Sequence, residues 1–347
     1  MSRRHAFGQM ILARLREFYR EPEAIFWVYG FPLILAVLLG IAFSGGKPEP
    51  PTIDVQGNPD NEDVKKFVKT LEAGGLKDVQ VHPEEECRRR LRLGKTVLFL
   101  VPGQPLPKFV YDETRAEGEY ARYRVESILL RARSETLPPA DVSPMSEPGS
   151  RYIDFLLPGL MGMNVMGGGL FGVGFILVDM RVRKLFKRLL ATPMNRSDFL
   201  LAILVSRTIF LVPEMLALLT VGRLIFGVPI HGDLLTLTLV ILAGSAAFDG
   251  IGLLLASRTE KTETISGLMN LVMLPMYLLS GTFFSSKRFP DAAQPFIQAL
   301  PLTQLNDALR DVMLEGKSLT DVAWRLAILM AWALGSFALA LRWFRWR

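Results

Sequence analysis

Arg207, Glu214 and Asp249 are ionisable side chains set inside long apolar runs. A charge at that depth costs about 2.5–3.5 kcal/mol on insertion scales unless it is paired or hydrated, so each is a functional candidate. Glu214 follows Pro213 near the middle of its run. Arg207 lies seven residues earlier on about the same helical face, and Asp249 sits at comparable depth in the next run. Two readings stand side by side. A buried ion pair, Arg207–Asp249 or Arg207–Glu214, locks helices together, or the groups take part in a transport path or conformational change.

Other chemistry-bearing types are sparse. Gly167, Gly169 and Gly172 spell G-x-G-x-x-G, and Gly168 with Gly172 spells G-x-x-x-G. The dinucleotide reading requires a strand before and a helix after. These glycines lie inside an apolar run, where close helix packing is the better account, because missing side chains let backbones approach. His5, His82 and His231 are too scattered for a triad or a histidine-rich metal site, and no G-x-x-x-x-G-K-[ST] occurs. His82 with Glu84, Glu85 and Glu86 hints at a metal, but acids at a helix start suit its positive end without one. The chain has one cysteine, Cys87, so no intrachain disulfide is possible.

A basic amphipathic helix is predicted between Arg181 and Leu190. Val182, Leu185, Phe186, Leu189 and Leu190 recur at i, i+3, i+4, i+7 and i+8, while Arg181, Arg183, Lys184, Lys187 and Arg188 fill the other faces. Thr192-Pro193 ends it, since proline lacks an amide donor. Wedged between two apolar runs, this helix belongs on the cytoplasmic surface, gripped by a soluble partner or lying on the membrane under the positive-inside rule.

These residues are positioned by elements that the hydropathy marks out. The chain has 347 residues, 50% of them hydrophobic and 21% charged, too apolar for an ordinary soluble protein yet with a polar part. Six stretches suffice for a hydrocarbon core of about 30 Å: Ala24–Phe43, Tyr152–Val178, Phe199–Phe226, Leu234–Ala256, Ile265–Phe284 and Val322–Leu341. Sixteen Lys and Arg fall in residues 1–23 and 181–196, the loop near Arg258 and Lys261, and the tail; four fall in 285–319 on the other side. The asymmetry puts both termini in the cytoplasm. It suits membrane topology better than a nucleic-acid surface. Residues 1–23 read as an interfacial helix on the cytoplasmic leaflet, and residues 24–44 as a retained first span rather than a removed signal.

Residues 45–150 read as a separate extracytoplasmic α/β domain, bounded by GGKPEPP and LPPADVSPMSEPGS. TIDV, KDVQV, TVLFLV and KFVYDE read as strands, and Asn61–Glu72, Glu84–Leu93 and Glu117–Glu135 as helices. The fold class is therefore an α-helical polytopic membrane protein with six transmembrane helices and an inserted α/β domain. Residues 151–347 carry spans two to six.

RKLFKRLLATPMNRSDFLLA and, further on, LLSGTFFSSKRFPDAAQPFIQALPLTQLNDALR resemble the permease subunits of ABC-2-type transporters. There a helix after a span ends in an ERLLxTPxxR pattern. Arg188, Leu189, Leu190, Thr192, Pro193 and Arg196 match it, and Lys187 stands where the family often has an acid. A later SGxxFP…P…NP pattern is matched by Ser280, Gly281, Phe284, Pro290 and Pro301, with Leu300 in place of the asparagine; Arg310 matches an arginine beyond it. The large domain between spans one and two resembles the drug- and lipid-exporter branch.

The resemblance implies two permease subunits, identical or related, working with two ABC ATPase subunits in a bacterial cytoplasmic (inner) membrane. ATP and Mg sit on the partner ATPase, with no cofactor on this chain. Segment 181–196 becomes the coupling helix, with Leu185, Phe186, Arg188, Leu189, Thr192, Pro193 and Arg196 as its contact residues, and 285–319 an outer re-entrant segment. The cargo is a drug- or lipid-like amphipathic or hydrophobic molecule. Met161, Met163, Asn164, Met166, Asn270, Met273 and Tyr277 are candidates to line its path between spans two and five, or are plain packing. The alternatives are a secondary transporter or channel, which would be expected to carry more intramembrane charge and often an internal repeat, and a membrane-anchored sensor, which needs a longer cytoplasmic domain.

Overall fold

The computed structural model describes residues 3–44, 51–76, 78–103, 107–112, 116–133, 151–186 and 196–344. The chain divides into two compact units, Gly46–Met145 and the remainder.

The inserted unit is a four-stranded mixed sheet: β1 (Ile53–Gln56), β2 (Val79–His82), β3 (Leu98–Val101) and β4 (Lys108–Tyr111), in the order β2-β1-β3-β4. β1 is parallel to both its neighbours, and β4 runs antiparallel to β3. Parallel neighbours require crossovers, supplied by the helices Glu62–Ala73 and Glu84–Arg92; Ala116–Arg133 follows β4. Asn61 caps the first helix by accepting from the Asp63 amide at 2.9 Å. Ile53, Val55, Leu98 and Leu100 of the central strands pack against Leu71, Val125 and Leu129 in one apolar core. Asp54, between Ile53 and Val55 in sequence and so on the other face of the sheet, is also buried and accepts from Arg90 Nε at 2.8 Å. Cys87 is fully buried; its thiol donates to the His82 carbonyl at 3.4 Å, and burial pushes its pKa up to about 11.

The other unit is helical. Among the described residues five helices are long and apolar enough to cross a membrane: Pro22–Ala42, Tyr152–Val182, Asp198–Phe226, Leu234–Ala256 and Leu319–Trp343, below called the first, second, third, fourth and last spans. The fifth expected span, Ile265–Phe284, is a helix over Thr262–Leu279 that is less apolar than these five. It opens on Thr-Glu-Thr and carries Asn270, Pro275 and Tyr277, which dilute its apolar content. Beyond it, Gly281 turns the chain at φ 71°, a conformation that glycine adopts without strain. Two short helices follow, Gln294–Ala299 and Pro301–Met313.

The fourth span is the centre of this unit, with most of its length buried. It meets the second span backbone to backbone. A Cβ at Gly252 would stand 2.6 Å from the Gly169 carbonyl oxygen, and one at Gly174 would stand 2.7 Å from that of Gly252. Close packing thus falls to Gly169, Gly174 and Gly252; Gly167 faces open space, and Gly168 and Gly172 face a side chain described below. The second span changes to π-helical turns over Leu170–Phe175, a stretch that begins after Gly169 and includes Gly174 of this contact. Residues Arg3–Tyr19 form the helix expected at the start of the chain, and it packs on the third span, Phe18 against Phe210 with ring centroids 4.3 Å apart.

Candidate functional site

The third span presents Arg207 and Glu214 on one face, because seven residues make about two helical turns. Arg207 Nη1 donates to Glu214 Oε2 at 2.9 Å, and the two residues are 4% and 3% exposed. Of the two pairings open in the sequence, the structure holds the one inside a single helix. Asp249 on the fourth span is equally buried and accepts from the Ser245 hydroxyl at 3.2 Å. Arg207 Nε and Nη2 and Asp249 Oδ1 have no hydrogen-bond partner among the described residues. The guanidinium lies in a notch of the second span: a Cβ at Gly168 would collide with Arg207 Nη2, and one at Gly172 would come 3.1 Å from Arg207 Cδ. The Tyr29 hydroxyl from the first span donates to the Phe210 carbonyl of the third span at 3.1 Å. The pair therefore ties helices together by insertion into a glycine gap rather than by an interhelical ion pair.

At the end of the second span the expected basic helix takes another form. The helix stops at Val182, Lys184 turns the chain at φ 59°, and helical geometry resumes at Leu185 and Phe186. Arg181, assigned to a polar face by periodicity, is only 8% exposed. Its Nη1 donates to the Ala256 carbonyl at 2.8 Å and also to that of Thr259, and its Nη2 reaches the Ser257 carbonyl at 3.5 Å. A helix leaves its last carbonyls without intrahelical partners, and a buried guanidinium satisfies several at once. That requirement outvotes the amphipathic pattern. Phe186 is buried, Leu185 is half-buried, and Arg183 is exposed, paired with Asp179 at 2.9 Å. Arg188, Leu189, Thr192 and Pro193 lie outside the described residues; Arg196 opens the third-span helix, its side chain outside the described set.

Residues matching the second sequence pattern form a lock at the other end of the bundle. Arg310 donates from Nε and Nη2 to the Phe155 carbonyl at 3.3 and 3.2 Å, and from Nη2 to that of Gly281. Its guanidinium stacks 3.8 Å over the Phe155 ring. Asn306 Nδ2 donates to the Ser280 carbonyl at 2.9 Å. Gly159 and Gly162 of the second span admit Thr282 and Asn306, which a Cβ at either glycine would strike. Arg325 of the last span donates to Asp311 at 2.9 Å and to Asp307 at 3.2 Å.

The candidate path residues are dispersed. Met161, Met166 and Met273 are buried in the core, Met163, Asn164 and Tyr277 are half-buried, and Asn270 is exposed. Sequence reasoning passed over Tyr29, Asn306 and Arg325, and gave Arg181 a polar face instead of its buried place. Nothing local distinguishes them, since their partners are backbone carbonyls or acids far along the chain.

A family model described as "ABC-2 family transporter protein" matches residues 22–342. The chain is 28% identical over 189 residues to "ABC transporter G family member 20" of Dictyostelium discoideum, an alignment covering 53% of this chain and 26% of that protein. It is 26% identical over 200 residues to "Nodulation protein J" of Bradyrhizobium diazoefficiens, covering 57% of this chain and 76% of the relative. To the protein of the same name in Rhizobium meliloti it is 25% identical over 202 residues, covering 55% and 73%. The chain thus spans about a quarter of the Dictyostelium relative and about three quarters of the other two.

Proposed function

Because the chain belongs to the ABC-2 family of transporter proteins, a multi-pass membrane family to which its five apolar helices conform, we propose that it is the permease subunit of an ATP-driven exporter. One observation carries the reading: the family match runs from residue 22 to 342, through all the apolar helices and the inserted unit together. In this reading Thr262–Leu279 is a sixth span, and the inserted unit lies outside the cytoplasm. Both termini and segment 181–196 lie in the cytoplasm of a bacterium whose inner membrane holds the chain. Two permeases, identical or related, are served by two ABC ATPases that bind the ATP and Mg. Segment 181–196 receives their movement, Leu185, Phe186, Arg188, Leu189, Thr192, Pro193 and Arg196 forming the contact.

The cargo is an amphipathic or hydrophobic molecule, drug-like or lipid-like. Among the path candidates, Met163, Asn164, Asn270 and Tyr277 keep open surface for it, while Met161, Met166 and Met273 hold the wall from behind. The test is to purify the tagged chain from its own membranes and reconstitute it with whatever ATPase accompanies it. A co-purifying ATPase and ATP-dependent extrusion of a fluorescent lipid or dye from proteoliposomes are expected. Movement driven by an ion gradient with no bound ATPase would replace this reading with a secondary transporter or channel.

A further inference from the structure

The ends of the second, fourth and last spans meet at Arg181, and the third span joins them through Phe186. Its fork satisfies carbonyls at the end of the fourth span, Ala256 at 2.8 Å and Ser257 at 3.5 Å, with Thr259 beyond. Its guanidinium lies 5.7 Å from the ring centroid of Phe186, the last described residue before 187–195, and 5.3 Å from that of Phe344, which caps the last span. Phe186 meets Phe199, in the first turns of the third span, edge-on at 5.6 Å, and Phe344 at 6.2 Å. Arg258 over Trp343, at 5.6 Å, ties the fourth and last spans a second time.

We propose that Arg181 is the positioning residue that binds the stretch Arg181–Phe186 to the ends of the fourth and last spans, so that a displacement of that stretch moves those spans with it. The inference rests on the coupling reading above. Its physical basis is independent of it. A positive group suits the negative end of a helix. A planar fork between two rings can bond several carbonyls and stack at once, which a lysine ammonium cannot do. Among the described residues, the Phe186–Phe344 ring contact also joins this stretch to the last span. Arg183, two residues on and exposed, has none of these contacts and serves as the control.

The experiment uses the full chain reconstituted in nanodiscs with its ATPase, comparing Arg181→Gln and Arg181→Lys with Arg183→Gln. In Arg181→Gln, ATPase co-purification and ATP hydrolysis are expected to persist while substrate moved per ATP falls about tenfold or more, a factor equivalent to about 1.4 kcal/mol. Arg181→Lys should fall between, and Arg183→Gln should match wild type. A second readout needs no transport. Spin labels on cysteines placed at Arg183 and Lys261 should report one narrow distance, equal with and without ATP, in wild type and a broadened one in Arg181→Gln; buried Cys87 stays unlabelled. Unchanged transport per ATP and an unchanged distance distribution overturn the proposal. So does loss of ATPase co-purification with the distance intact, which would make Arg181 a partner contact. If the wild-type complex shows no ATP-dependent transport, the exporter reading fails, and the distance measurement still decides whether Arg181 binds the stretch to the fourth span.

Discussion

Gly168→Ala tests the account of the buried charges most sharply. A Cβ there would occupy the place of Arg207 Nη2. The far end of an arginine normally swings aside at little cost. Here it is held at 2.9 Å by Glu214, with both groups at least 96% buried, so moving it separates two buried charges. Breaking a buried pair costs about 3–5 kcal/mol, and the helix gains about 1 kcal/mol from replacing glycine. A net loss of about 2–4 kcal/mol follows, which at about 2–4 °C per kcal/mol for a domain of this size is a drop on the order of 10 °C in melting midpoint. Gly167→Ala, one residue away and facing open space, should leave the midpoint unchanged or raise it. The assay is thermal unfolding of the detergent-purified protein for both variants, in wild type and in an Arg207→Met/Glu214→Gln background. In that background Gly168→Ala should be nearly silent, because the group it strikes is gone. Equal losses in both backgrounds, or equal midpoints for Gly167→Ala and Gly168→Ala, would refute the notch.

Further outcomes follow from the same geometry. Cys87, fully buried with its pKa near 11, is only about one part in a thousand thiolate at pH 8, so maleimide should label it under denaturation and not in the folded protein; stoichiometric labelling of folded protein would contradict the buried site. Asn58→Cys, exposed in the inserted unit, should then be the sole reactive thiol, modified by an impermeant reagent in intact cells if that unit is extracytoplasmic; modification only after lysis reverses the topology. Arg310→Lys should lose most of the stability lost in Arg310→Ala, since one ammonium cannot reach Phe155 and Gly281 while stacking on the ring; full rescue in a melting assay would contradict the lock. Gly281→Ala, at φ 71°, should lower stability by about 1–2 kcal/mol, read in the same assay.

Local pattern alone determined much of this molecule. Apolar runs of about 20 residues located the five apolar helices, and turn-rich edges with alternating strands revealed the inserted sheet, because hydropathy and period are properties of consecutive residues. That Arg207, Glu214 and Asp249 sit within apolar runs was legible for the same reason, and all three are buried. Their pairing was not: the sequence admits Asp249 as readily as Glu214, and only the position of the second span, with Gly168 opening a place for the guanidinium, shows where Arg207 points. The break at Val182 was hidden too. Periodicity from Arg181 to Leu190 is that of one amphipathic helix, yet the unpaired carbonyls at the end of the fourth span, some 75 residues on, draw Arg181 inward. Likewise Ser280, Gly281 and Arg310 stood out as a pattern, but their joint role appears only where Phe155 and Asn306 meet them. Short-range periodicity is written along the chain; which buried polar group meets which is settled when distant segments pack, because satisfying a desolvated carbonyl or charge outweighs the local preference.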